Sequence, residues 1–306
     1  YRTTGAGLGE ANTLMAIGDV LQFLNQRNEA LSRYEECLEI YREMGARLGE
    51  ANTLRVIGDM LQFANQRTEA LSHYDQALSI YRQVGARLGE ANTLRAIGDV
   101  LQFLNQRDVA LNHYEQALEI YRQVGARLGE ANTLKAIGDS LRLLTKNRES
   151  LSHYDQALGI YRQVGARLGE ANTLTAIGDI LQLLDQRGEA FNRYEQALEI
   201  YHQVGAHLGE ANVLQELGKI QDDPIHCLSY LQQAQKLYEQ IGDKYSQSRN
   251  LVEFLSDAQL KLGQKETAIQ SLTHAAELSE GTDYEFLRQS ALEKIQHLQS
   301  TSSPNS

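Results

Sequence analysis

The sequence has no tryptophan, two prolines, two cysteines and few aromatics beyond its 15 tyrosines. With so little proline, almost nothing in the chain forbids helix. Two cysteines among 306 residues cannot form a disulfide framework. Cys37 stands where sister segments carry Ala77 and Ala117, and Cys227 is in register with Ala110, so both read as small buried side chains. No stretch approaches 18 uninterrupted apolar residues, and the beginning lacks a basic segment followed by an apolar one. No membrane span or secretion signal is therefore expected, and a cytoplasmic setting is the default. Basic residues are also in deficit, 29 against 40 acidic, for a net charge of -11. Without clustered Lys and Arg, nucleic acid and anionic membranes are poor first partners.

What the chain has in abundance is itself. Ala86-Arg-Leu-Gly-Glu-Ala-Asn-Thr-Leu94 returns at Ala46, Ala126, Ala166 and Ala206, and in degraded form at Ala6, a period of 40 residues. Within one copy Leu88, Ala91, Leu94, Ile97, Gly98, Leu101 and Leu104 are spaced to line one face of a helix, here helix A. After the turn Asn105-Gln106-Arg107, a second stripe through Ala110, Leu111, Tyr114, Ala117, Leu118, Tyr121 and Val124 defines helix B. Gly125 follows as the residue able to enter the left-handed region and end it. So short a turn makes the two helices antiparallel, and a pair this small must stack on its neighbours to bury its faces. Gly98, Ala110 and Ala117 are the small residues expected to let helices A and B approach closely.

The spacing of Leu94, Ile97, Gly98, Leu101, Ala110, Tyr114 and Ala117 resembles the tetratricopeptide (TPR) repeat, and the set recurs from Leu14, Leu54, Leu134 and Leu174. The extra six residues per unit, at the join between helix B and the next helix A, are similar to the long repeats of kinesin light chains and spindle-orienting adaptors. The expected fold is all-α: a right-handed superhelical solenoid of antiparallel helix pairs, about seven repeats and a C-terminal capping helix. The divisions are 6–45, 46–85, 86–125, 126–165, 166–205, 206–242 with a shortened turn at Asp222-Asp223-Pro224, and 243–281 with Ser256 at the glycine place. A capping helix occupies 282–300, with Phe286, Leu287, Leu292, Ile295 and Leu298 facing inward, and 301–306 reads as a disordered tail. Tyr1–Gly5 aligns with the end of a helix B, which suggests a fragment of a longer protein.

The resemblance implies that helix A forms a concave, ligand-facing wall. Carried onto this sequence, that wall holds Asn92, Arg95, Asp99, Gln102 and Phe103. The Asn recurs as Asn12, Asn52, Asn132, Asn172 and Asn212, an amide ladder that can both donate to and accept from a peptide backbone. Selectivity is expected from the varying position Met15, Arg55, Arg95, Lys135, Thr175 and Gln215. Asp19, Asp59, Asp99, Asp139 and Asp179 against Arg55, Arg95, Lys135, Arg142 and Lys219 leave the wall neutral. Arg95 and Asp99, four apart on one helix, could equally pair with each other. A basic patch, Arg142, Lys146 and Arg148, distinguishes 126–165.

The blander readings are as specific. Gly5-Ala-Gly7-Leu-Gly9-Glu10 has no preceding strand and is a drifted helix junction, not a phosphate loop. His73, His113 and His153 recur on helix B, too far apart for one metal, and read as an exposed polar ladder. Glu35 and Glu36 sit on outward faces, and no Ser-His-Asp, Cys-His or HExxH arrangement is present. The expectation is a non-enzymatic binding scaffold with a protein or peptide partner, no cofactor and no metal. The alternatives are the sensor array of a larger signalling protein resembling STAND-class ATPases, or head-to-tail self-association through an uncapped first repeat.

Overall fold

In the computed structural model, which describes residues 4–300, all regular secondary structure of the described chain is helical. The helices are α1 (Thr4–Phe23), α2 (Arg27–Glu43), α3 (Arg47–Phe63), α4 (Arg67–Val84), α5 (Arg87–Phe103), α6 (Arg107–Val124), α7 (Arg127–Leu143) and α8 (Asn147–Val164). They continue as α9 (Arg167–Leu183), α10 (Arg187–Val204), α11 (His207–Ile220), α12 (Pro224–Ile241), α13 (Lys244–Asn250), a π-helical turn (Leu251–Leu255), α14 (Ser256–Lys261), α15 (Lys265–Ser279) and α16 (Glu285–Ser300). Odd and even helices pack as consecutive pairs through α12, and the interrupted helix from Lys244 to Lys261 packs on α15. The chain falls into two compact units, one up to Val164 and one from Gly165.

The turns explain why each pair closes. Asn25, Asn65, Asn105, Thr145 and Asp185 adopt φ between 59° and 68°, ending each of the first five A helices with a left-handed residue. The amide N–H three residues past the last helical position reaches back into the helix, in the third pair Gln106 N to Leu101 O at 2.9 Å. Each B helix ends as its sequence predicts, with Gly125 at φ 70° and Ala126 N donating to Tyr121 O. In the sixth pair the shortened turn is capped by Asp223, whose carboxylate accepts from the N–H groups of Ile225 and His226, with Pro224 opening α12.

Burial follows the two stripes with exceptions. Leu94, Ile97, Leu101, Ala110, Tyr114, Ala117, Leu118 and Tyr121 are buried, whereas Leu88, Leu104 and Val124 are exposed at the helix ends. On α16 Leu287 and Ala291 are buried and Ile295 and Leu298 pack on the core of α12 to α15, but Phe286 and Leu292 face outward. Cys37 is buried and Cys227 half-buried, both as free thiols. The α1 helix runs on from Thr4 through Gly5, while residues 1–3 and the 301–306 tail lie outside the described residues.

Candidate functional site

The polar face of the A helices is built from two kinds of tyrosine. The ring of Tyr114 lies against Gly98, where an added Cβ would come within 2.5 Å of it, and its hydroxyl donates to Asp99 Oδ1 at 2.8 Å. The same socket recurs as Tyr34 on Gly18 with Asp19, Tyr74 on Gly58 with Asp59, Tyr154 on Gly138 with Asp139, and Tyr194 on Gly178 with Asp179. Burial, then the nearby carboxylate, pushes these phenols well above their ordinary range. The glycine thus accommodates a ring rather than the small residues of helix B.

The second tyrosine orients the amide ladder. Tyr121 donates to Asn92 Oδ1 at 2.6 Å and packs against Gly129 at the start of the following A helix. Tyr41, Tyr81, Tyr161, Tyr201 and Tyr238 hold Asn12, Asn52, Asn132, Asn172 and Asn212 in the same way. Each Asn therefore spends its carbonyl oxygen inside the protein and turns its N–H2 group to the surface. The ladder donates more than it accepts.

The charged positions pair along the helix: Arg55 with Asp59 at 2.6 Å, Arg95 with Asp99 at 2.8 Å and Lys135 with Asp139 at 2.9 Å. Burial raises the Asp99 carboxyl above its usual range against the pull of Arg95 and Tyr114, and Asp139 and Asp59 on the adjacent A helices add to the rise. Burial opposes the Arg95 charge, but Asp99 and the Tyr121 hydroxyl outweigh it and its pKa rises. Gln102 accepts from Tyr114 and from Ser140, tying α5 to α7. Arg142 is half-buried beside Tyr154, and Lys146 and Arg148 are exposed. Of the varying positions, Gln215 is buried and Thr175 donates to its own helix at Ala171 O, so neither presents a surface group as Arg95 does. Within the first unit, Gln22 of α1, Arg55, Asp59 and Phe63 of α3, and Asn92 and Arg95 of α5 line one depression of about 380 Å³.

His73, His113 and His153 are half-buried rather than exposed, each with an unpartnered buried Nδ1. Burial, followed by Arg42 for His73 and by Arg122 for His153, lowers their pKa below 6.5. Among the described residues no cluster of three or more His, Cys, Asp or Glu could hold a metal.

The extra six residues per unit have a structural role that sequence reasoning missed. Glu90, buried at the start of α5, accepts from Arg82 Nε on α4 at 3.0 Å and from Arg87 on its own helix. Arg87 also reaches Gln123 of α6. Glu50 and Glu130 repeat the clamp with Arg42 and Arg47, and with Arg122 and Arg127. At Glu210 both arginines are replaced, by His202 and His207. The recurrence of Arg and Glu at fixed offsets around Glu50, Glu90, Glu130 and Glu170 was the available signal.

Models of the tetratricopeptide repeat match residues 11–44, 49–123, 129–203 and 253–282, and the chain belongs to this family. No curated protein matches it in sequence. Solved structures match at low identity. The apo form of RapI is 14% identical with a TM-score of 0.71, the match covering 94% of this chain and 99% of RapI. A Signal Transduction ATPase with Numerous Domains (STAND) protein with a tetratricopeptide repeat sensor, from Pyrococcus horikoshii, is 14% identical with a TM-score of 0.78, over 99% of this chain and 48% of that one. The Rap conjugation gene regulator of plasmid pLS20, in complex with the Phr* peptide, is 17% identical with a TM-score of 0.60, over 96% and 76% of the two chains. At these identities the likeness is one of fold.

Proposed function

We propose that this chain is a non-enzymatic scaffold whose A-helix face binds an extended peptide. The observation that carries the reading is the orientation of the amides: six tyrosines fix six asparagines, four in the first unit and two in the second, with their N–H2 groups outward, donors suited to peptide carbonyls. Asn12, Asn52, Asn92, Asn132, Asn172 and Asn212 supply these donors. Arg55, Arg95, Lys135, Asp59, Asp99, Asp139, Gln102 and Arg142 add side-chain selectivity. Self-paired charges make the face neutral, so neither acidic nor basic peptides are favoured by field alone. The peptide bound to the plasmid pLS20 regulator supports the ligand class.

Asparagine to aspartate is the informative change, because the carboxylate still accepts from tyrosine while the outward donor is lost. Asn52→Asp, Asn92→Asp and Asn132→Asp combined should abolish recovery of a peptide ligand in pull-downs while leaving the circular dichroism spectrum intact. Undiminished recovery sinks the proposal.

A second reading is a ligand-sensing array of a larger signalling protein, favoured by the STAND match, of which the likeness covers about half. A P-loop encoded upstream in the parent gene would support it. Self-association through the first pair, a third reading, draws on the exposed Ile17 and Val20 of α1. Light scattering that stays monomeric over a hundredfold concentration range argues against it.

A further inference from the structure

The tyrosine socket holds in the first five pairs and fails in the last two, where the seventh has Ser256 and Leu272 in place of glycine and tyrosine. In the sixth pair Gly218 keeps its place, but Leu231 stands where the other pairs have tyrosine and Lys219 where they have aspartate. The smaller leucine leaves space that a phenol ring fills elsewhere. The neighbouring elements enlarge it: α11 has 14 residues against 17 for α9, and the π turn Leu251–Leu255 brings Glu253 and Phe254 to the opening. The result is a pocket of about 310 Å³ in the second unit, with Leu231, Cys227, Phe254 and Ala258 as its apolar lining and Lys219, Lys261, Glu253 and Asp257 among its polar residues.

The charges at this pocket do not cancel. Lys219 is paired with Glu216, Glu253 with Arg249 and Asp257 with Lys294. Lys261 has no ion pair among the described residues, and its charge is felt at the Cys227 thiol. Phe254 already lies under Lys219 at 5.5 Å and Arg249 at 5.8 Å, so the aromatic wall is held in place. A cavity with one apolar wall, of Leu231, Phe254 and Ala258, and one uncompensated cation at its polar edge fits an apolar group joined to a carboxylate.

Resting on the peptide-scaffold reading, we infer that this pocket anchors a hydrophobic side chain of the peptide, with an adjacent carboxylate meeting Lys261. That carboxylate comes either from a neighbouring Asp or Glu or from the peptide's own C-terminus. The first five pairs carry a tyrosine in this space, and the seventh has lost the glycine as well, so the sixth sets the register of a ligand that a repetitive ladder alone would let slide.

The test uses the full chain and fluorescein-labelled octapeptides read by anisotropy: an internal Leu-Glu, the same with Leu-Gln, a C-terminal Leu as free acid, and the same amidated. One carboxylate-bearing peptide should bind about tenfold more tightly than its neutral counterpart, about 1.4 kcal/mol, and which one identifies the source. Lys261→Gln, an exposed change that spares the fold, should erase the difference. The preferred peptide at saturation should also slow iodoacetamide labelling of Cys227, the more accessible of the two thiols because Cys37 is fully buried. Equal binding of neutral and charged peptides, a preference that survives Lys261→Gln, or unchanged labelling overturns the inference. Asn212→Asp, on the same helix as Gly218, separates the two proposals. If it weakens every peptide while Lys261→Gln changes nothing, the ladder stands and the pocket falls; if no peptide binds, both fall.

Discussion

Gly98 and Gly159 are both helical glycines, yet they make opposite predictions. A Cβ at Gly98 would press on the Tyr114 ring, so Gly98→Ala should lose about 1–3 kcal/mol in urea denaturation. Around Gly159 of α8 nothing lies within 4 Å, and Gly159→Ala should gain about 0.5–1 kcal/mol by restricting the unfolded chain and favouring helix. The glycine at position 98 and its need for close approach are legible in the sequence, because the family spacing carries them. That the neighbour is a ring is not legible there, since a tyrosine 16 residues away is brought over that glycine only by the hairpin. The asparagines show the same limit: their period was legible, but the tyrosine that takes each carbonyl oxygen lies 29 residues on for five of them and 26 for Asn212.

Between elements, the Arg-Glu-Arg clamp and the histidine row govern how one pair meets the next. Glu90→Gln should cost about 1–2 kcal/mol, at the lower end for a buried carboxylate because both guanidinium groups are half exposed and screened. Added salt should narrow the difference between variant and parent. The histidines set a pH dependence of definite sign. His73, His113 and His153 have folded pKa values below 6.5, so the unfolded chain takes up protons first as pH falls. Their contribution is intact above pH 6.5 and is lost as the pH drops below it. Thermal melts at pH 7.5 and 5.5 should show a smaller decrease in Tm for the triple His→Gln variant than for the parent. An equal decrease would assign the loss to other groups. The row was read from sequence as exposed because arginine stands at the same position in Arg33 and Arg193. Burial there is partial, and a periodic pattern marks a face without fixing how deep its edge lies.

Across the molecule, the helix pairs are alike in sequence and unlike in burial. Ile97 is buried between pairs, whereas Ile17 at the equivalent place on α1 is 43% exposed. Ile17→Lys should therefore change stability by less than about 0.5 kcal/mol, while Ile97→Lys should cost several kcal/mol or prevent folding. Equal losses would mean that the face of α1 is covered in solution. The architecture of pairs was legible because the repeat writes it five times over; the pocket of the sixth pair was not. Its missing turn residues are visible in the sequence, but the exchange of tyrosine for leucine and of aspartate for lysine gains meaning only once the two are neighbours.

The Arg-Glu-Arg clamps give the chain a property unconnected with any ligand. Because the joint before 46–85, the joint before 86–125 and the joint before 126–165 use the same residues in the same places, a whole 40-residue unit can be excised or copied and the new joint will be chemically the old one. Length is thus free to change in steps of 40 residues by unequal recombination between near-identical coding segments, without any new interface having to arise. The joint at His202, His207 and Glu210 differs from these and marks where such exchange would stop being neutral.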